Sequence, residues 1–286
     1  MEAITRYYML TKPGIIRGNV MTAGAGFLLA AKGHVDVWVL LAVLLGTSLV
    51  IASACVFNNY IDRELDKKMV RTKKRALVIG TVSAQQALVY ATALGVFGFT
   101  ILMLYTNAST VMLGVTAFFF YVVLYGLAKR RSPYGTLVGS VPGALPVTAG
   151  YTAAAGQLDG GALLVFLCMV VWQMPHFYAI ATYRVKDYRA AGLPVLTVVR
   201  GIARARKSIV GYVAGYVLVA SSLFVFGYTG YCYLIVMSVI GLFWFRLALT
   251  GFNTTDDAKW ARKVFGFSLL VLMTFSIMIS LEAWLP

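Results

Sequence analysis

Long apolar stretches alternate with short polar ones along almost the whole chain. A helix needs about 20 mostly apolar residues to cross the hydrocarbon of a bilayer. Nine stretches reach that length, at about 14–31, 37–57, 85–104, 109–127, 135–155, 162–181, 208–228, 231–249 and 264–285. The pattern predicts an all-α integral membrane protein, residues 1–286 forming one polytopic domain. Composition agrees: 60% of the residues are hydrophobic and 12% charged, against roughly 45–50% and 25% in soluble domains. A soluble protein must still cover its surface, so lipid is the natural solvent for this chain.

The 25 Lys and Arg against 10 Asp and Glu give a formal net charge of +15. In a soluble protein that surplus raises the question of nucleic acid; here the basic residues stand in short runs between apolar stretches, and topology explains them instead. With nine spans, every basic residue except Lys32 falls on one side. The positive-inside rule makes that side, with the N-terminus, cytoplasmic. The opposite connections are short and nearly uncharged, so charged chemistry belongs at the cytoplasmic face. The two longest connections there run over about 58–84 and 182–207. Cys55, Cys168 and Cys232 stand singly in apolar sequence and read as small buried residues. The N-terminus has neither a secretory signal pattern nor an organellar transit pattern, which favours a bacterial plasma (inner) membrane.

The second span runs out into FNNYIDRELDKKM. Asn58, Asp62 and Asp66 recur every four residues, which sets them on one ridge of a helix, with the two carboxylates roughly 5–6 Å apart. Two acids that close repel unless a cation lies between them, and hard oxygen donors suit Mg²⁺, which shares its shell with substrate phosphates. The following KKMVRTKKR supplies cations for a diphosphate. The plainer alternative is that both acids pair with neighbouring lysines and arginines on a solvated helix end. In the second long connection, Asp187 stands among Arg184, Lys186 and Arg189, again directly after a span, and suggests two helix ends converging on one metal–diphosphate site.

His176 lies in CMVVWQMPHFYAIA, within apolar sequence beside Pro175. It is either a packing residue or a group facing a ligand, since intramembrane ionisable residues are costly unless used. Pro175 is expected to kink its helix. Gly135, Gly139 and Gly143 put small residues on one face of the fifth span, for close helix approach or a flat ligand. A few of the many Tyr and Phe residues are candidates to line an isoprenyl pocket and steady a carbocation.

NNYIDRELDKKMVRT, KRRSPYGTLVGSVPGALP, WQMPHFYAIA and YRVKDYRAAGLPVL resemble, in order and spacing, the protohaem IX farnesyltransferase branch of the UbiA-type intramembrane prenyltransferases. KPG at 12–14 and WARKVFGFS at 260–268 extend the resemblance over essentially the whole chain. It implies nine spans around a central lateral cavity, and transfer of a farnesyl group from farnesyl diphosphate to a vinyl group of haem B, with addition of water, giving haem O. It further implies Mg²⁺ as cofactor on Asn58, Asp62, Asp66 and Asp187, with the three aspartates catalytic. Arg71, Lys129, Arg184 and Lys186 become diphosphate partners and His176 a haem contact. Candidate protein partners are a terminal oxidase or a haem A synthase.

Two departures stand out. Tyr183 occupies a position where many members of the superfamily carry an aspartate four residues before Asp187, and Ala76 stands where a proline is usual. Rival readings are a quinone-precursor or chlorin acceptor, a transporter with sites near the midplane, and a non-catalytic haem-delivery scaffold.

Overall fold

The computed structural model describes residues 2–285; Met1 and Pro286, the ends of the expected domain, lie outside the described residues. Every regular element among those residues is a helix, and 67–83 runs through turns and bends. Helix α1 (Glu2–Leu10) precedes the first expected span and leads through a two-residue turn into α2 (Pro13–Ala31). Then follow α3 (Val37–Asp66), α4 (Ala84–Tyr105), α5 (Ala108–Arg131), α6 (Gly135–Ala155) and α7 (Gly160–Tyr183). Two short helices, α8 (Val185–Ala190) and α9 (Leu196–Val199), cross the second long connection. Helices α10 (Gly201–Val225), α11 (Tyr231–Leu249) and α12 (Asp257–Leu281) complete the bundle.

Among the described residues, eight helices are long and apolar enough to cross a membrane, against nine expected. The exception is α6. It forms over the expected residues, but its glycines, Pro142 and Pro146 dilute its apolarity. The reason is its place in the bundle: every residue from Ala144 to Thr152 is buried, so neighbouring helices surround this segment in place of lipid. Small residues make that possible. A Cβ at Gly150 would overlap the backbone of Ala23, and α2 approaches α6 again where Gly26 meets the carbonyl of Val147. Close approach through small residues is how helices gain packing where no hydrophobic effect drives them together.

Several helices outrun their apolar windows. Helix α3 continues to Asp66, nine residues past the expected end of its span, and α10 and α12 begin about two turns early. Charge ends an apolar window without interrupting backbone hydrogen bonding, so the polar ends stay helical and carry the site residues beyond the spans proper. Pro175 lies inside an unbroken α7.

The two long connections do converge, through apolar contacts. Leu65 and Met69 pack with Tyr188, Ala191, Leu193 and Val195 in one cluster. This brings the end of α3 against the connection that follows α7.

Candidate functional site

A cavity of about 500 Å³ runs into the bundle between α2, α3, α5, α6, α7 and α12. Its polar end is built on the last turns of α3. Asn58, Asp62 and Asp66 all line it and are only 3%, 7% and 2% exposed. Burying carboxylates that far requires partners. Asp62 receives Lys129, across from α5, and Arg130, whose Nη2 lies 3.0 Å from Oδ1. Asp66 receives Arg75, with Nη1 to Oδ2 at 2.6 Å. The pairing of these acids with basic residues, one of the two readings open from sequence, is therefore present, but inside a cavity and not on a solvated helix end.

Lys12 completes this end. It adopts the left-handed conformation, φ 56°, just before Pro13, a region a residue with a Cβ rarely occupies and one that is more often found at functional sites. Two buried amides hold it there. Lys12 Nζ donates to Asn58 Oδ1 at 2.7 Å, and Asn59 Nδ2 donates to the Leu10 carbonyl at 2.8 Å. Burial pushes the Lys12 ammonium down to about 8, with Arg75 and Lys129 adding like-charge repulsion and Asp62 opposing it. The phenol of Tyr188, which also lines the cavity, is raised, chiefly by burial.

The α5 wall depends on an irregularity. Ala117, Tyr121, Tyr125 and Lys129 all face the cavity at four-residue spacing. Each such step overshoots a full α-helical turn by about 40°, so a regular helix would rotate the later residues away. A π turn at Phe120–Leu124 takes up the overshoot. Tyr121 and Tyr125 then stack with an interplanar angle of 23°, and Lys129 lies 5.1 Å over the Tyr125 ring. Opposite, Gly135, Gly139 and Gly143 line the cavity and pack tightly at the same time. A Cβ would meet the backbone of Lys129, the ring of Tyr125 and the amide of Gln173 respectively. The close-packing reading of that glycine face holds, and the same face borders the cavity.

Deeper in, His176 lies between Trp172 and Phe265, with ring centroids 4.9 and 4.8 Å away. Its Nδ1 is 2.8 Å from Ser268 Oγ, and that hydroxyl donates to the Phe265 carbonyl at 2.6 Å. With the serine proton so engaged, Oγ is left to accept, which puts the imidazole proton on Nδ1 and leaves Nε2 as a free acceptor. His176 lines the cavity.

Asp187, Arg184 and Lys186 do not line the cavity, although Tyr188 does. Asp187 instead faces Arg184 at 3.7 Å. The two connections meet through Met69 and Leu193, not through their acids, and no group of three or more His, Cys, Asp or Glu able to hold a metal occurs among the described residues. Arg71 and Lys129 do line the cavity as expected. Lys12, Arg130 and the two stacked tyrosines escaped the sequence reading, and Arg75 entered it only as one cation of KKMVRTKKR. KPG and the KRR run contain Lys12 and Arg130 without indicating what they touch.

What remains still suits Mg²⁺. The donors are hard oxygens, and Asn58 Nδ2 is buried with no partner, a donor suited to an oxygen-rich ligand. Two carboxylates and an amide are too few to enclose a metal. They fit an ion that keeps waters and shares its shell with phosphate, and the surrounding cations favour a diphosphate anion.

Residues 19–272 match the model of the UbiA prenyltransferase family. The chain is 48% identical over 280 residues to the protoheme IX farnesyltransferase of Edwardsiella ictaluri (strain 93-146), covering 98% of this chain and 95% of that one. The protein of the same name from Serratia proteamaculans (strain 568) gives the same figures. Among solved structures, a digeranylgeranylglyceryl phosphate synthase superposes with a TM-score of 0.81 at 18% identity, over 99% of both chains. A UbiA homologue from Archaeoglobus fulgidus bound to GPP and Mg²⁺ gives 0.71 at 16%, over 96% of this chain and 99% of that one. At those identities the structural likeness is one of fold.

Proposed function

The chain belongs to the UbiA prenyltransferase family, and from that premise we propose that it transfers the farnesyl group of farnesyl diphosphate to a vinyl group of haem B, with addition of water, giving haem O and diphosphate. The observation that carries this reading is one cavity joining a cationic, carboxylate-bearing end to an aromatic pocket with a histidine acceptor.

Asn58, Asp62 and Asp66 would hold Mg²⁺, which when bound neutralises charge gathering on the leaving diphosphate. Lys12, Arg71, Arg75 and Lys129 bind its remaining oxygens. The farnesyl C1–O bond breaks with its electron pair leaving on diphosphate. Tyr121 and Tyr125 present π faces to the allylic cation. The terminal vinyl carbon of haem B bonds to C1, and water adds to the cation left beside the porphyrin and loses a proton. His176 Nε2 serves as a haem contact. The apolar walls keep bulk water from the first cation. We read α6 as a ninth crossing, the N-terminus as cytoplasmic, and the site as facing the cytoplasm of a bacterial inner membrane, supported by the basic residues gathered on one side.

The test is purified protein in nanodiscs with haem B, farnesyl diphosphate and Mg²⁺, read as a mass increase of the haem by one farnesyl group plus one hydroxyl group. Chelating the divalent ion should stop transfer while haem still binds. Unchanged haem after many turnovers' time would defeat the proposal.

A further inference from the structure

Among the α7 residues that line the cavity, Trp172, His176 and Ile180 form a helical stripe. The next turn of that stripe is Tyr183–Arg184, just beyond the cavity lining. On α12, Leu272 and Leu269 line the cavity, and the same face one and two turns earlier carries Phe265 and Arg262. The two stripes meet. Phe265 bridges them, 4.8 Å from the His176 ring and 5.9 Å from the Tyr183 ring. Over Tyr183 sit two guanidinium groups, Arg184 at 5.3 Å and Arg262 at 5.7 Å from the ring centroid.

Arg262 is exposed and Arg184 partly so, so solvent screens much of their repulsion, and both guanidinium groups stay open to an anion entering from that side. The protein supplies little counter-charge of its own. Arg184 reaches Asp187 only at 3.7 Å. Among the described residues, Arg262 has no ion-pair partner within 4.0 Å, although Asp257, on the same helix, already pairs with Arg206. Guanidinium forks match carboxylates. The path from His176 to this pair is aromatic throughout. Its ligand should therefore be flat and apolar over most of its area, with two carboxylates on one edge.

Resting on the reading of haem B as acceptor, we propose that Arg184 and Arg262, aligned by Tyr183, hold the two haem propionates. Haem carries its propionates on one edge and its vinyls on the other. Anchoring the first at the α7–α12 end turns the vinyl edge inward, toward the farnesyl group at Asp62 and Asp66. These residues thereby set the orientation in which haem reacts, and Arg184 serves haem instead of diphosphate.

The test compares haem B with haem dimethyl ester, in which the propionates are esterified, using protein in phosphatidylcholine nanodiscs. Binding is followed in the Soret band without farnesyl diphosphate, and transfer is followed by mass. Wild type should favour haem B over the ester by on the order of tenfold or more, the scale of a lost charge-assisted hydrogen bond. Arg262→Gln and Arg184→Gln should each raise the KM for haem B by a similar factor, leave the KM for farnesyl diphosphate unchanged, and shrink the preference over the ester. Arg262→Lys should restore part of it. The unchanged KM for farnesyl diphosphate reports that the variants have folded. A wild type that uses acid and ester alike, a preference surviving in both Gln variants, or a change in the KM for farnesyl diphosphate instead would overturn the inference. A wild type that farnesylates neither porphyrin would defeat the prenyl-transfer reading itself, a separate result.

Discussion

Asp62 and Asp66 sit almost wholly buried, each bound to a basic side chain. Removing one member of a buried pair strands the other, which costs more than the pair contributes; an amide in place of a carboxylate keeps the shape and removes the charge. Asp62→Asn and Asp66→Asn should therefore lower haem O formation by about a hundredfold or more, with helix content by circular dichroism unchanged. Undiminished turnover in both would remove these acids from the reaction. Ser268 offers a subtler check. Without its hydroxyl, the His176 Nδ1 proton loses its acceptor and the ring is free to take the other tautomer. Ser268→Ala should weaken haem affinity about tenfold, the scale of a lost partner behind a ligating histidine, and leave the affinity for farnesyl diphosphate alone. Equal haem affinity in both proteins would show that the serine only packs. The acids and the histidine were legible in sequence because charge inside apolar sequence stands out. Their partners were not. Lys12 reaches Asn58 across 46 positions and Lys129 reaches Asp62 across 67, distances over which no spacing rule operates.

At the scale of elements, the π turn in α5 keeps Tyr121, Tyr125 and Lys129 on one wall. Deleting Val122 should restore a regular helix and swing Tyr125 and Lys129 by about 100°. Activity should then be lost while the protein still inserts and elutes as a single species; retained activity would mean that the wall tolerates rotation. The α2–α6 crossing makes a stability prediction. Gly150→Ala forces a methyl group against the backbone of Ala23, and overpacking of this kind costs roughly 1–3 kcal/mol. Thermal unfolding in detergent should show a lower Tm, and an unchanged Tm would mean that the helices separate freely. Eight helices announce themselves by apolar length. Helix α6 was found from the same pattern, but its role as an interior helix was not, because burial by protein and burial by lipid favour similar residues. The extension of α3 to Asp66 was hidden for the opposite reason: charged residues mask a helix that merely leaves the membrane.

Across the whole molecule, Leu65 and Met69 meet Tyr188 and Leu193, joining the two halves of the chain above a cavity that both halves line. The sequence suggested that meeting, and attributed it to shared acids. Apolar contact does the joining; Asp187 stays off the cavity wall, and Arg184 lies just beyond it, over Tyr183. The central claim is that one cavity holds the diphosphate at its carboxylate end and haem at its histidine end simultaneously. Pulsed electron paramagnetic resonance tests this directly, with Mn²⁺ replacing Mg²⁺ beside an unreactive farnesyl diphosphate analogue and ferric haem as the second spin. The account predicts dipolar coupling between Mn²⁺ and the haem iron that disappears in the Asp62→Asn, Asp66→Asn double variant. Both ligands bound to wild type with no coupling between them would contradict it.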